Sequence, residues 1–459
     1  MKRLADEFIY KSYEYKLDNG YLHIKYRFEI PGVEIFEPSW KIPYSANRSH
    51  EVTVSNDYMD ELVFNLGLVE LVSYWKSVCA QTVKIECSSL SAEQILWWKK
   101  LYFYGLGEFF YQNNIVTTVD DFMHIVPRGE KTTIAKFAFS KLEGSLVPIG
   151  GGKDSIVSLN SLLDATADDK IGTITPYIIN SRGATLDTVR IAGLEQSTVF
   201  ASRYLDERLL ELNKRGFLNG HTPFSAVVAF SALIAAFLNG RKYIVLSNES
   251  SANEPTVVDR NGISVNHQYS KSFEFESEFR YYVKRYLTTT NEYFSLLRPL
   301  SEYQIAKTFS KLKNYHAVFR SCNVGSKRNV WCTSCPKCLF VYIILAPFLD
   351  VDELVKIFGE NLFEKSELKD DLNRLVGVTE TKPFECVGSI DEVNTALVQV
   401  SSQYSKDSLP YLLRQYSMLQ KYQKYKQELD EKLNYYNKFY DEGNAVPPNF
   451  KELLLKGIN

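Results

Sequence analysis

The sequence predicts an α/β protein organised around a doubly wound parallel sheet, with an N-terminal α+β domain and a helical C-terminal region. A short apolar run at residues 146–149 has the character of a buried parallel strand, and three glycines follow it directly. A helical segment at 154–163 comes next, and two further strand-like runs lie at 172–179 and 242–246. Alternation of strands and helices at this spacing is typical of a doubly wound sheet.

The first 140 residues are predicted to form the α+β domain, which either shapes the substrate site or forms an interface. Residues 21–30 alternate apolar and polar side chains with the period of a half-buried strand, and a Pro-Gly turn signal follows them. Helical patterns lie at 58–76 and 92–112. Because a chain of 459 residues is too long for a single hydrophobic core, several domains are expected.

Residues 141–350 are predicted to form the doubly wound domain, and residues 351–459 the helical region. Within the central domain, residues 186–212 have the composition of one long helical stretch. Residues 411–442 are rich in Tyr, Lys, Gln and Glu and contain few β-branched residues, so we predict a long solvated helix or a helical hairpin there.

Charge and hydropathy indicate a cytoplasmic protein that binds neither nucleic acid nor membrane. The 53 basic and 55 acidic side chains leave a formal net charge of -2, which argues against a surface dedicated to a nucleic-acid backbone. The N-terminus becomes acidic before the apolar core of a signal peptide develops. The apolar run at 225–238 is too short to span a bilayer and is predicted to be a buried helix. The sequence does not indicate the oligomeric state.

The glycines after the first central strand predict an anion-binding loop. Glycines bring backbone N–H groups close to phosphate oxygens, and the start of the following helix adds a partial positive charge. Two common phosphate loops do not fit, because a Walker A loop requires glycine where Val147 stands and a dinucleotide loop requires glycine where Ser155 stands. The residues predicted to hold phosphate oxygens are Gly150, Gly151, Gly152, Lys153, Asp154 and Ser155.

Four of the seven cysteines cluster between residues 322 and 338 and predict a metal site. Four thiolates at this spacing match a closed tetrahedral zinc site, which is structural because it leaves no position for water. A redox pair and an iron–sulfur cluster are the alternatives. The remaining cysteines, Cys79, Cys87 and Cys386, are interpreted as small buried apolar residues. The predicted zinc ligands are Cys322, Cys332, Cys335 and Cys338.

Two polar segments, 246–255 and 265–276, are predicted to form the substrate side of the site. The first segment follows the strand at 242–246, and ligands bind at the carboxyl ends of parallel strands in this architecture. Both segments are dense in side chains that hold cations or carboxylates, or that exchange protons. Ordinary solvated loops explain part of this composition, so the prediction depends on the two segments together.

The glycine loop, the cysteine group and these polar segments together resemble the MurL family, the ATP-dependent UDP-N-acetylmuramoyl-L-alanyl-L-glutamate epimerases. The resemblance covers residues 145–345 most clearly, and it is most specific at 248–254 and 266–276. The loop is similar to the Ser-Gly-Gly-x-Asp-Ser loop of the PP-loop ATP-pyrophosphatase superfamily, with Gly150 in place of the first serine. That substitution removes one side-chain donor and no backbone donor.

The resemblance implies an isomerase of peptidoglycan precursor synthesis, and hence of cell wall biogenesis and cell shape. In this family the loop holds the pyrophosphate end of ATP, and Asp154 is expected to help position Mg²⁺. The terminal L-glutamate of a UDP-linked muramoyl dipeptide is adenylated and inverted to D-glutamate. Water then releases AMP, and pyrophosphate is the other product. A structural zinc ion at a four-cysteine site also occurs in the more distantly related 7-cyano-7-deazaguanine synthases.

Inversion of an α-carbon requires groups that remove and return a proton. Among the polar residues of the two segments, His267 is the first candidate for such a group. Lys271, Glu249 and Glu274 are the others.

Two other functions fit the same motifs. One is a different carboxylate-adenylating ligase, similar to 7-cyano-7-deazaguanine synthase, which would consume ammonia. The other is a non-catalytic nucleotide-binding protein with a degenerate loop, for which only Gly150 argues. A tRNA-modifying enzyme is disfavoured because the chain shows no basic stripe.

Overall fold

A computed structural model describes residues 4–45, 56–129, 142–165, 171–259, 262–287 and 291–458. The domain boundary predicted near residue 140 falls on residues 130–141, which lie outside the described residues.

The described residues contain thirteen strands. They are β1 (Glu7–Asp18), β2 (Tyr21–Ile30), β3 (Glu34–Phe36), β4 (Ser39–Pro43), β5 (Thr82–Ile85), β6 (His124–Pro127), β7 (Ser145–Pro148), β8 (Ile174–Ile179), β9 (Val199–Tyr204), β10 (Tyr243–Leu246), β11 (Val257–Val258), β12 (Ser264–Val265) and β13 (Glu292–Ser295).

The helices of the first two thirds of the chain flank these strands. They are α1 (Asn56–Trp75), α2 (Ala92–Gly105), α3 (Gly107–Gln112), α4 (Lys153–Ala165), α5 (Gly183–Ile191), α6 (Glu207–Lys214), α7 (Phe224–Leu238), α8 (Phe273–Tyr282) and α9 (Glu302–Ser310).

The C-terminal region contains helices and no strand among its described residues. Its helices are α10 (Pro336–Leu345), α11 (Val351–Phe358), α12 (Lys369–Leu375), α13 (Ile390–Ser401), α14 (Tyr411–Ser417), α15 (Gln420–Gln427), α16 (Leu429–Lys438) and α17 (Pro448–Ile458).

Five parallel strands form the central part of the sheet in the order β13-β10-β7-β8-β9. The chain winds from β7 outward to β9 on one side and then from β10 to β13 on the other. The winding therefore reverses between β7 and β10, which confirms the doubly wound prediction. In such sheets ligands bind at this reversal, outside the carboxyl ends of the strands.

The central strands continue into the N-terminal ones. β9 pairs antiparallel with β4, and the order then runs β4-β2-β1-β5-β6, with β3 paired to β2. Among the described residues, eleven strands thus form a single sheet.

Both faces of the central sheet are covered, as a doubly wound sheet requires. Leu146 of β7 and Ile244 of β10 belong to one hydrophobic core, which also includes α7 and the N-terminal helices. Their neighbours Val147 and Val245 belong to a second core, which extends through α10 into the C-terminal helices. This alternation follows from the period-2 geometry of strands.

The long helical stretch predicted at 186–212 is wrong. α5 ends at Ile191, where Gly193 adopts a left-handed conformation with φ of +70°, and the chain then enters strand β9. Val199 and Ala201 of this strand are buried, so pairing with β8 and β4 overrides the helical composition of the segment.

Two other helix predictions need correction. The segment at 92–112 divides into α2 and α3 at Leu106, whose φ of -98° and ψ of 7° depart from helical geometry. The segment at 411–442 forms three short helices instead of a solvated helix or hairpin. Tyr416 and Tyr436 are buried there, and the Tyr436 hydroxyl donates to the Asp391 carboxylate at 2.6 Å.

No helix among the described ranges is long and apolar enough to span a bilayer. The apolar helix α7 is buried against α1 and the sheet, as predicted.

Candidate functional site

The glycine loop lies at the reversal point of the sheet, between the end of β7 and the start of α4. Gly151 has φ of +79°, and a Cβ atom there would lie 2.9 Å from Ala184. A Cβ atom on Gly152 would lie 2.7 Å from the hydroxyl of Ser321, whereas Gly150 has open space around it. The second and third glycines are therefore required by packing, and the first faces the open side of the loop.

Lys153 and Ser155 are held by groups of the protein. The buried Lys153 ammonium contacts the carboxylates of Asp154 and Glu302. Burial alone would lower the pKa of Lys153, but these two carboxylates raise it, so the side chain stays charged. The Ser155 hydroxyl donates to the Gly152 carbonyl at 3.0 Å and stabilises the first turn of α4.

Three carboxylates converge beside the loop. Oxygen atoms of Asp154, Glu249 and Glu302 lie within 4.8 Å of one another, and both glutamates are buried. Asp154 lies in the first turn of α4, Glu249 follows β10 and Glu302 begins α9, so each carboxylate comes from a different segment. We call these residues the acidic trio.

The electrostatics of the acidic trio fit a divalent cation. Burial raises the pKa of Glu302 to about 8. Burial alone would raise the pKa of Asp154 too, but the nearby ammonium groups of Lys153, Lys337 and Lys271 lower it. Carboxylate oxygens are the ligands that Mg²⁺ prefers, and a bound cation relieves the repulsion between them.

A second cluster contains His267 and Lys271, two of the predicted proton-transfer groups. His267 Nδ1 lies 2.5 Å from Glu108 Oε2, which is also 3.2 Å from Nδ1 of His221. Lys271 Nζ lies 3.0 Å from the sulfur of Cys386. Burial alone would lower the pKa of Lys271, but Cys386, Glu249 and Asp154 raise it, so this cluster borders the acidic trio.

Glu274, the fourth predicted group, is not in this arrangement. Its carboxylate lies on the exposed face of α8 and pairs with Lys100 at 2.6 Å. The helix starts at Phe273 with Ser272 as its N-cap, which turns Glu276, and not Glu274, into the core.

Arg298 connects the two polar segments, 246–255 and 265–276, through hydrogen bonds. Its fully buried guanidinium donates to the Glu249 carbonyl at 2.5 Å and to the Lys271 carbonyl. It also pairs with the buried Glu276 carboxylate at 3.2 Å. A single cation thus fixes the backbone at two candidate residues, and we interpret it as a positioning residue.

Replacing Arg298 with Met should lower the free energy of unfolding by about 3–5 kcal/mol, because it leaves the Glu276 carboxylate buried without its partner. Urea unfolding measures the change, with Arg190→Met on the exposed face of α5 as the control. Adding Glu276→Gln should restore part of the loss, since it removes the unpaired charge. A loss below about 1 kcal/mol for Arg298→Met would contradict this interpretation.

The four clustered cysteines come together as predicted. Their sulfur atoms lie within 4.8 Å of one another, with 3.7 Å between Cys332 and Cys338 and 3.5 Å between Cys335 and Cys338. Sulfur atoms about 2.3 Å from a tetrahedral zinc ion are roughly 3.8 Å apart, so the donor set and its size fit zinc. Cys335 is the N-cap of α10 and Pro336 its first residue, which fixes this half of the site.

The cysteine segment also holds the glycine loop. The Arg320 amide donates to the Gly151 carbonyl at 2.8 Å, and Ser321 packs on Gly152. Asn329, in a left-handed conformation, accepts a hydrogen bond from the Ala184 amide at 3.0 Å at the start of α5. Folding of the cysteine segment is therefore coupled to the shape of the loop.

Several residues of the site were missed in the sequence. Glu302 and Arg298 lie in a segment without a motif. Lys337 stands between two cysteines of the cluster, and its ammonium contacts the Cys386 carbonyl. Cys386 was interpreted as a buried apolar residue, but it contacts two charged side chains. The one feature of the sequence that could have indicated these residues was Lys337, which lies within the cysteine cluster.

Residues 1–296 match the MurL N-terminal domain, and residues 318–430 match the MurL C-terminal domain. A protein of Xanthomonas oryzae pv. oryzae named UDP-N-acetyl-alpha-D-muramoyl-L-alanyl-L-glutamate epimerase is 37% identical over 347 residues, 74% of each chain. Proteins of the same name from Micromonospora sp. and Salinispora tropica are 33% and 32% identical, over 87% of this chain and 88% and 86% of their own. No solved structure is significantly similar.

Proposed function

The chain belongs to the MurL family, and from this premise we propose that it inverts the terminal L-glutamate of UDP-N-acetylmuramoyl-L-alanyl-L-glutamate to D-glutamate. We further propose that the reaction consumes ATP, passes through an adenylated carboxylate and releases AMP and pyrophosphate. The observation that carries this proposal is the acidic trio beside a glycine loop at the reversal point of the sheet.

The proposed ATP site uses the glycine loop and the start of α4. Backbone N–H groups at the loop and the helix N-terminus favour phosphate oxygens, and Gly150 leaves the approach open. The acidic trio would hold Mg²⁺, which supplies positive charge to the phosphates when bound. This arrangement supports placing the protein in the PP-loop ATP-pyrophosphatase superfamily.

Activation of the carboxylate explains why an epimerase would consume ATP. An ionised carboxylate makes the neighbouring α-hydrogen very weakly acidic, because removing the proton would place a second negative charge beside the first. Adenylation removes the carboxylate charge, so a side-chain base can take the proton. Return of a proton to the opposite face inverts the carbon, and hydrolysis releases AMP.

The cysteine site has a structural role in this scheme. Cys322, Cys332, Cys335 and Cys338 would hold zinc, which stabilises the segment that contacts Gly151 and Gly152. The proposed substrate is the UDP-linked muramoyl dipeptide, and the proposed compartment is the cytoplasm, where ATP is present. Neither nucleic acid nor membrane has a part in the reaction.

His267 is the first candidate for a proton-transfer group, followed by Lys271, whereas Glu249 belongs to the acidic trio. Replacing His267 with Ala should leave AMP formation partly intact and abolish exchange of the α-hydrogen with heavy water. Mass spectrometry of the recovered substrate measures the exchange, and His316→Ala, far along the chain beside Phe309, is the matched control. Exchange at the wild-type rate in His267→Ala would remove this residue from the role.

A pyrophosphate-release assay separates the proposed function from the two alternatives. Release with ATP and the muramoyl dipeptide alone supports the epimerase. A requirement for ammonia would instead identify a ligase, and no release with either substrate set would identify a nucleotide-binding protein.

A further inference from the structure

The thiol of Cys386 lies in a setting that differs from those of the other cysteines outside the zinc cluster. The residue belongs to the C-terminal part of the chain, just before α13, yet its sulfur contacts Lys271 Nζ at 3.0 Å. Its side chain neighbours His267, and its carbonyl accepts from Lys337. Both Lys271 and His267 lie in the polar segment after β12.

The thiol, an imidazole and a carboxylate lie next to one another here. His267 Nδ1 lies 2.5 Å from Glu108 Oε2, and the ring of Phe384, two residues before Cys386, lies 6.4 Å from the imidazole ring. A carboxylate that orients an imidazole, which in turn bonds a thiol, is the arrangement that activates cysteines in enzymes. Glu108 lies on α3, so the N-terminal part of the chain supplies the orienting group.

The charges around these groups favour the thiolate and imidazolium forms. Burial alone would raise the pKa of Cys386, but Lys271, His267 and Lys337 lower it to about 6. Burial alone would lower the pKa of His267, but Cys386 and Glu108 raise it to about 9. The remaining facing groups are Glu385, whose pKa burial raises, and His221, which lies 3.2 Å from the same Glu108 carboxylate and whose pKa burial lowers to about 4. Between pH 6 and 9 the pair therefore holds one thiolate and one imidazolium.

We propose that Cys386 and His267 are the two proton-transfer groups of the epimerisation, with the thiolate as base and the imidazolium as acid. The inference rests on the proposed function. The α-carbon enters between the two groups, so it meets one group on each face. The α C–H bond breaks, an S–H bond forms on Cys386, and the electron pair moves into the activated carboxyl group. His267 then donates its proton to the opposite face, and the two groups regain their starting states by exchange with water.

Lys271 and Glu108 act through these two groups. The Lys271 ammonium stabilises the thiolate and connects it electrostatically to Asp154 and Glu249, where the carboxylate would be adenylated. Glu108 holds the imidazole in the orientation that leaves its second nitrogen for Cys386. Both are positioning residues in this scheme.

The test compares adenylation with proton transfer in Cys386→Ala and Cys386→Ser. In heavy water with ATP, Mg²⁺ and the muramoyl dipeptide, both variants should incorporate deuterium at the α-carbon at least about 100-fold more slowly than wild type. Exchange of labelled pyrophosphate into ATP, which reports adenylation alone, should stay within about threefold. The wild-type incorporation rate should rise with pH around a midpoint near 6, because the thiolate form increases there. Cys87→Ala is the matched control, since burial raises the pKa of that thiol to about 12.

The outcomes separate this inference from the function on which it rests. If wild type shows neither pyrophosphate exchange nor D-glutamate, the proposed function itself is wrong. If wild type is active and Cys386→Ala incorporates deuterium at the wild-type rate, the inference is wrong. It is also wrong if both variants lose pyrophosphate exchange in step with deuterium incorporation, or if acid quenching traps substrate covalently bound to Cys386, which would make the thiolate a nucleophile.

Discussion

Replacing Asp154 with Asn is expected to reduce the exchange of labelled pyrophosphate into ATP by about 100-fold to 1,000-fold. The Asp154 carboxylate belongs to the acidic trio and also pairs with the buried Lys153 at the start of α4. The amide keeps the shape of the side chain but loses the charge that would hold Mg²⁺ against the phosphates. Because epimerisation depends on adenylation, deuterium incorporation at the α-carbon should fall by the same factor.

Asp164→Asn is the matched control for this experiment. Asp164 lies on the exposed part of the same helix, α4, so its replacement should leave both rates unchanged. The thermal unfolding midpoint of Asp154→Asn shows whether the helix still folds. Full pyrophosphate exchange in a folded Asp154→Asn protein would contradict the assignment of the acidic trio to ATP and Mg²⁺.

Replacing Cys338 with Ser is expected to remove zinc and to lower the free energy of unfolding by about 5 kcal/mol or more. Cys338 lies on the first turn of α10 within 3.7 Å of two other cysteine sulfurs. Loss of one thiolate opens the site and frees the segment that contacts Gly151 and Gly152. Pyrophosphate exchange should therefore fall even though the cysteines do not touch ATP in the proposed scheme.

Metal analysis and thermal unfolding of the purified proteins check this prediction, with Cys87→Ser as the control. Wild type and the control should contain one zinc ion per chain, and Cys338→Ser should contain far less. Iron and sulfide in the wild-type protein, or a full zinc content in Cys338→Ser, would contradict the structural zinc site.

The central strand and the loop after it were predictable from the sequence because local residue patterns determine them. Residues 146–149 are too apolar and too short for anything but a buried strand, and the glycines that follow require the turn seen in the structure. The same reasoning placed the segment at 246–255 at the site, since it follows β10, whose carboxyl end meets that of β7 at one edge of the sheet. The cysteine cluster was predictable because its spacing is short.

The residues that were missed reach the site through long-range packing. Glu302, Arg298 and Cys386 are separated by tens to hundreds of residues from the groups that they contact, and no local pattern marks them. Strand β9 was hidden for a similar reason. Its partner β4 lies far away in the chain, and its Arg203 forms an ion pair with the buried Glu70 of α1, so composition alone favoured a helix.

The position of Glu274 shows the limit of reasoning from a polar segment. Residues 265–276 contain many groups capable of chemistry, but the start of α8 at Phe273 sends successive side chains to different faces. Glu276 is consequently buried against Arg298, while Glu274 meets Lys100 at the surface. Knowing the segment was not enough to know which side chains share the site.

The most direct measurement of the central claim is an incubation of the protein with ATP, Mg²⁺ and UDP-N-acetylmuramoyl-L-alanyl-L-glutamate, followed by hydrolysis and analysis of glutamate chirality. The account predicts D-glutamate together with AMP and pyrophosphate. Glutamate that remains entirely in the L form, or D-glutamate formed at the same rate without ATP, would contradict it.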